Sequence, residues 1–185
     1  MKTSVAVLFS ILSILTSLPL GAAETTPGKA AKIDRDARAA LNALYAKTPA
    51  AKALAPKAVA ILVFPSITKA GFVIGGQYGE GALIKGGKTV GYYSTGGASY
   101  GLQAGAQKYG YAMFFMKEGA LQQLDKASGF EIGVGPNVVV IDEGMAKQIT
   151  TTTTQEDIYA FVFGSKGLMA GVGIQGNKVS KITPK

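Results

Sequence analysis

Two short motifs in this chain have the spacing of catalytic or phosphate-binding elements. Ser66-Ile-Thr-Lys69 fits S-x-x-K, in which a lysine activates a serine nucleophile. Gly171-Val-Gly173-Ile-Gln-Gly176 fits G-x-G-x-x-G, in which glycines let the backbone approach a pyrophosphate. Each lacks its supporting parts. The serine enzymes add S-D-N and K-T-G elements, and here Lys88-Thr89 is followed by Val90. A dinucleotide turn needs a following helix and an acid about twenty residues on, whereas residues 177–185 contain no acid. Pro65-Ser66 therefore reads as a turn, and the three glycines as strand-bending positions.

Glu80, Glu118, Asp125, Glu131, Asp142, Glu143, Glu156 and Asp157 could furnish the carboxylate pair of a glycoside hydrolase. Glu80 stands out because it lies between Gly79 and Gly81, yet a solvent-facing strand carboxylate is the ordinary reading. The chain has no histidine and no cysteine. That removes imidazole general bases, thiol nucleophiles, disulfides and Cys/His zinc sites together. The sparse acids form no D-x-D-x-D-G calcium loop. The expectation is a non-enzymatic protein without metal or cofactor.

Charge points to a class of partner. Lysine and arginine number 19 against 11 acids, a net charge of +8. Such an excess favours anionic surfaces, lipid or nucleic acid. Residues 1–23 carry a basic start at Lys2, an apolar run and Gly21-Ala22-Ala23, the pattern of a secretory signal peptide cleaved near Ala23. An exported, periplasmic or envelope protein rarely meets nucleic acid, so anionic phospholipid or a membrane surface becomes the expected partner. The first helix carries Lys29, Lys32, Arg35, Arg38 and Lys47, and flanking cations on an apolar-faced helix can meet lipid phosphate, the first four above all. Those four, with Lys69 as a weaker contributor, are the candidate lipid-binding residues. The competing reading packs the helix's apolar face on the rest of the protein while Asp34 and Asp36 dilute its positive field.

The elements that must position these residues can be read from periodicity. Ile33, Ala37, Ala40, Leu41 and Leu44 recur at helical spacing within 29–47, and Thr48-Pro49 ends that helix. A helical turn follows through Leu54, and Pro56 starts the next element. Strand-like runs occupy 59–64 (closed by Pro65), 71–77, 79–85, 89–95, 98–107 and 111–116, with Gly86-Gly87 as a hairpin signal. A short helix is predicted over 117–127. Further strands are predicted over 130–134, 138–141, 158–164, 167–174 and 178–182, with 150–154 as an extended edge or loop. The organisation is a signal peptide (1–23), an amphipathic helical segment (24–49) and a main domain (50–185). The fold class is α+β, with one or more N-terminal amphipathic helices packed on a curved, glycine-rich, mostly antiparallel β-sheet, barrel-like or a sandwich. Of the tyrosines, Tyr78, Tyr92, Tyr93, Tyr100, Tyr109, Tyr111 and Tyr159 sit in strand contexts, where packing is the commoner role.

Lys69-Ala-Gly-Phe72 leading into a glycine-rich run, and Ser165-Lys-Gly-Leu-Met169-Ala-Gly171 near the end, recur in order over about residues 50–182. In this the chain resembles the SYLF domain, the lipid-binding module of the Ysc84-related family. The resemblance implies lipid binding, which in eukaryotic members is associated with an N-terminal amphipathic helix and phosphoinositides. In an exported bacterial member, phosphatidylglycerol, cardiolipin or lipopolysaccharide would take their place. Gly75-Gly76-Gln-Tyr-Gly79 stands where an Arg-Gly-Gly sequence is usual, so a shared head-group contact through that arginine is missing. An envelope protein-interaction or structural module is the alternative.

Overall fold

Two very long strands organise the molecule. The computed structural model describes residues 28–126, 128–141, 156–164 and 174–185, with the backbone alone for 72, 73 and 99–106. β1 (Ala60–Lys85) and β2 (Lys88–Phe115) pair antiparallel from Ala60↔Phe115 to Lys85↔Lys88. They turn at Gly86-Gly87, where φ values of +57° and +76° suit the two-residue hairpin loop whose twist matches its strands. The six runs expected between 59 and 116 are thus two strands. Their glycines and Pro65 bend the pairing without ending it. Pro65 falls in the register shift between Phe64 and Ile67, where no ladder bond is required of its missing N–H. A second shift lies between Gly71 and Val73.

β2 is the shared spine of the sheet. Its last residues pair with β5 (Ile158–Phe163), and residues 92–96 pair with β6 (Lys178–Ile182). β3 (Phe130–Glu131) adds to β6 antiparallel, and β4 (Val138–Ile141) adds to β5 as the parallel pairing. The order is β3-β6-β2-β5-β4, with β1 alongside β2. The result is an α+β protein with a curled, half-barrel sheet. The curl brings β1 against itself. A Cβ on Gly79 would stand 2.7 Å from Ile67 Cγ1, and one on Gly81 2.7 Å from Phe64 Cδ1, so only glycine permits this approach.

Period-two alternation sorts the side chains into two layers. Leu62, Phe64, Tyr111, Met113, Phe115, Ala160 and Val162 fill the inside of the curl. Ile61, Val63, Ala112, Phe114, Tyr159 and Phe161 point to the other face. There they meet α1 (Lys29–Lys47) and α2 (Pro49–Leu54) through Ile33, Ala37, Leu41, Leu44, Ala51 and Leu54. Pro56 lies in a 3-10 turn, Ala55–Lys57, and does not open the next element. The helix expected over 117–127 is a short α3 (Glu118–Gln122) followed by a 3-10 turn, Gln123–Asp125. β3 stops early because Gly133 and Gly135 turn the chain at φ +98° and +100°. The signal peptide, the extended stretch 150–154 and residues 167–173 of the strand expected over 167–174 lie outside the described residues; Ile174 is in a bend.

Candidate binding surface

The expected site begins on α1. Its apolar stripe, Ile33, Ala37, Leu41 and Leu44, is buried against the sheet. Lifting the helix into a lipid interface would rebury that stripe but leave Val63, Ile84 and Phe114 in water. At about 1.5–3 kcal/mol for each large side chain, the cost is roughly 5–9 kcal/mol. Attraction of about 1 kcal/mol per cation does not recover it. The helix stays docked, and only its outer surface is open to a partner.

Four of the five cations of that helix are already engaged. Lys29 Nζ lies 2.8 Å from Glu80 Oε1, and Tyr78 OH donates to the same oxygen at 2.9 Å. Glu80 is partly desolvated, which opposes ionisation, but Lys29 and Tyr78 hold its pKa below the usual carboxylate value. Lys32 pairs with Asp36 at 2.8 Å, and Arg35 reaches the other oxygen of Asp36 at 3.0 Å. Hydrogen bonding from Lys32 depresses the Asp36 pKa. Arg38 turns towards the hairpin: it donates to Asp34 at 2.9 Å, to the Gly87 carbonyl at 2.9 Å and to Thr89 Oγ1 at 3.0 Å. Thr89 OH donates in turn to Asp34, whose pKa is held down first by Arg38 and then by Thr89. Lys69 lies apart from these on β1, half-buried, in register with Gln107 and with a partner of its own. The structure therefore brings Lys29, Lys32, Arg35 and Arg38 together on one helix, leaves Lys69 elsewhere, and neutralises much of the helix's charge.

The fifth cation of the helix, Lys47, stands apart from these four, and sequence reasoning passed over its neighbour Lys52. From residue 37 to residue 79 the chain has no acid. Within this span α1 ends at Thr48, Pro49 starts α2, and the corner displays exposed Lys47 and Lys52. Among the described residues neither has an ion pair. The missing acids were the available signal. Beside this corner a cavity of about 250 Å³ opens between the end of α1 and the β4–β5 edge.

The motifs with catalytic spacing do not assemble. Ser66 and Lys69 lie three residues apart on an extended strand, which separates them by about 10 Å. Gly176 (φ +75°) turns the chain into β6, a strand, where a pyrophosphate site would need a helix; Gly171 and Gly173 lie outside the described residues. Glu80, Glu118, Asp125 and Asp157 each pair with a different lysine: Lys29, Lys85, Lys181 and Lys117. Asp142 and Glu143 also lie outside the described residues.

The tyrosines divide by burial. Tyr93, Tyr109, Tyr111 and Tyr159 are core, and Tyr78 is exposed. Inside the curl Tyr109 OH donates to Gln77 at 2.7 Å, Gln77 donates to Asn177 at 2.6 Å, and Tyr111 OH donates to Thr95 at 2.7 Å.

The profile described as "Ysc84: Las17-binding protein actin regulator" matches residues 96–183. Those residues belong to the Ysc84, or SYLF, family. The matched span runs from the middle of β2 through β6, and so holds the sheet's spine and the Ser165–Gly171 element. Lys69–Phe72, α1 and the basic corner precede it. No curated protein matches the chain.

Proposed function

We propose that this chain is an exported, non-enzymatic binding module of the envelope that associates with anionic phospholipid head groups, phosphatidylglycerol or cardiolipin among them. The observation that carries this reading is the acid-free corner of α1 and α2, where Lys47 and Lys52 stand exposed and, among the described residues, without an ion pair, on a chain of net charge +8. Family membership of residues 96–183 is compatible with a binding role. The absence of histidine and cysteine supports a role without catalysis.

Vesicle flotation tests the reading. The protein should float with phosphatidylglycerol vesicles, fail to float with phosphatidylcholine vesicles, and detach as salt shortens the Debye length. Lys47→Gln with Lys52→Gln should weaken binding by about 30-fold, from about 1 kcal/mol for each cation. Equal binding to neutral vesicles, or none to anionic ones, overturns it. The family description names a protein partner, Las17, which favours a protein-docking module as the second reading. That reading predicts no flotation with any lipid.

A further inference from the structure

The cavity beside the basic corner is built for something other than a head group. One wall is the last two turns of α1, where the side chains of Ala40 and Ala43 are small and Leu44 forms part of the floor. The facing wall is Ile141 at the end of β4 with Phe161 and Phe163 of β5. Leu44, Ile141 and Phe161 are buried, Ala43 is exposed, and Lys47 stands at the rim. At about 250 Å³ the space exceeds the roughly 150 Å³ apolar cavity that stays dry and takes up benzene. It opens to solvent on one side, so a ligand enters without disturbing the fold.

We propose that this groove takes one acyl chain of an anionic phospholipid, with the Lys47 ammonium meeting the phosphate at the mouth. The walls offer an apolar chain dispersion contacts and removal from water. A polar solute would lose its hydration there for little return. The cation selects the sign of the group that stays outside. Lys47 suits this because no acidic partner competes for it among the described residues, and none occurs between residues 37 and 79. An apolar chain ending in an anion is the chemistry that satisfies both halves of the site. The proposal rests on the lipid reading above and adds a chain-binding site to head-group attraction.

The test is calorimetric titration of the full chain with alkyl phosphates of increasing length, below their micelle-forming concentrations. Affinity should climb about fourfold per methylene, the factor given by roughly 0.8 kcal/mol per buried CH₂, and level off once the groove is full. Ala43→Phe fills the mouth from an exposed helix position and should abolish the length dependence. Ala46→Phe, on the same helix but outside the groove, should bind like the parent. Lys47→Gln should weaken every member by about fivefold while leaving the slope per methylene unchanged. Length dependence that survives Ala43→Phe, or is lost equally in Ala46→Phe, overturns the groove assignment. So does an absence of saturable binding by the parent. If that happens while the protein still floats with phosphatidylglycerol vesicles, the chain site alone falls. If flotation also fails, the lipid reading falls with it.

Discussion

Gly81→Ala tests whether the curled sheet owes its closure to a missing side chain. A Cβ at this position would sit 2.7 Å from Phe64 Cδ1 and 2.9 Å from the carbonyl carbon of Val63, with the Val63 oxygen nearer still. Phe64 is fully buried and stacks at 5.0 Å between ring centroids on Tyr111, so it has little room to yield. The backbone carbonyl yields only if β1 shifts as a whole. Overpacking of this kind typically costs about 1–3 kcal/mol, and a clash with backbone places Gly81→Ala at or above the upper end. For a chain of this size that corresponds to a fall in Tm of roughly 6–12 °C. Gly76→Ala is the matched control, since a Cβ there meets nothing within 4 Å on the same strand. It should be neutral or stabilise by up to about 1 kcal/mol through the unfolded chain. Scanning calorimetry and urea unfolding of both variants decide the matter. A Gly81→Ala midpoint within about 2 °C of the parent, or equal losses in the two variants, would refute the close-approach argument.

Arg38→Ala should lower stability by about 1 kcal/mol, a value discounted because the side chain is 40% exposed, since it cuts the tie from α1 to the Gly87 carbonyl and Thr89. Arg35→Ala, which touches only the neighbouring Asp36, should cost much less, and equal urea midpoints for the two would dismiss the tie. Burial raises the Tyr93 phenol to about 12, with Asp125 adding to the effect, and burial likewise raises Tyr109 to about 12. The neutral phenols are therefore favoured by folding: their contribution is complete below the unfolded value of about 10 and is lost as pH rises from about 10 to 12. Urea midpoints should drop across that window together with the growth of tyrosinate absorbance. A combined Tyr93→Phe, Tyr109→Phe variant should make the drop shallower without removing it, because burial raises the Tyr111 phenol further still.

Much of the fold was legible because its signals are local. The α1 stripe identified the helix and, apart from the half-buried Ala40, its buried face together, and Thr48-Pro49 marked its end. The Gly86-Gly87 turn was equally plain. What misled was the assumption that glycine and proline end strands. On β1 they bend a strand that continues, because the long antiparallel partner supplies hydrogen bonds through each irregularity except at the shifts. Nothing within β1 records that residues 79–81 will lie against 63–67, since that contact depends on how far the sheet curls. The candidate site was less legible for a related reason. Counting cations along α1 gives five, but Glu80, which engages Lys29, comes from β1 and Thr89, which engages Arg38, from β2, and both are far away in sequence.

The arrangement of charge then bears on where a partner can bind. Asp34, Asp36 and Glu80 supply three negative charges for the first four cations of α1, and Arg38 is spent in holding the helix to the hairpin. A surface that secures a helix through ion pairs is poorly suited to attract a lipid with the same groups, because a phosphate must displace a carboxylate already at 2.8–3.0 Å. Past Arg38 the helix has no acid, and among the described residues neither Lys47 nor Lys52 has an ion pair. The division has a physical logic: the front of α1 is fixed by charge, and its end leaves charge unspent beside an apolar opening. On this reasoning Lys29→Gln with Lys32→Gln should change vesicle binding far less than Lys47→Gln with Lys52→Gln, although each pair removes two positive charges. Flotation at matched ionic strength compares them directly, and equal losses would mean that net charge alone governs association.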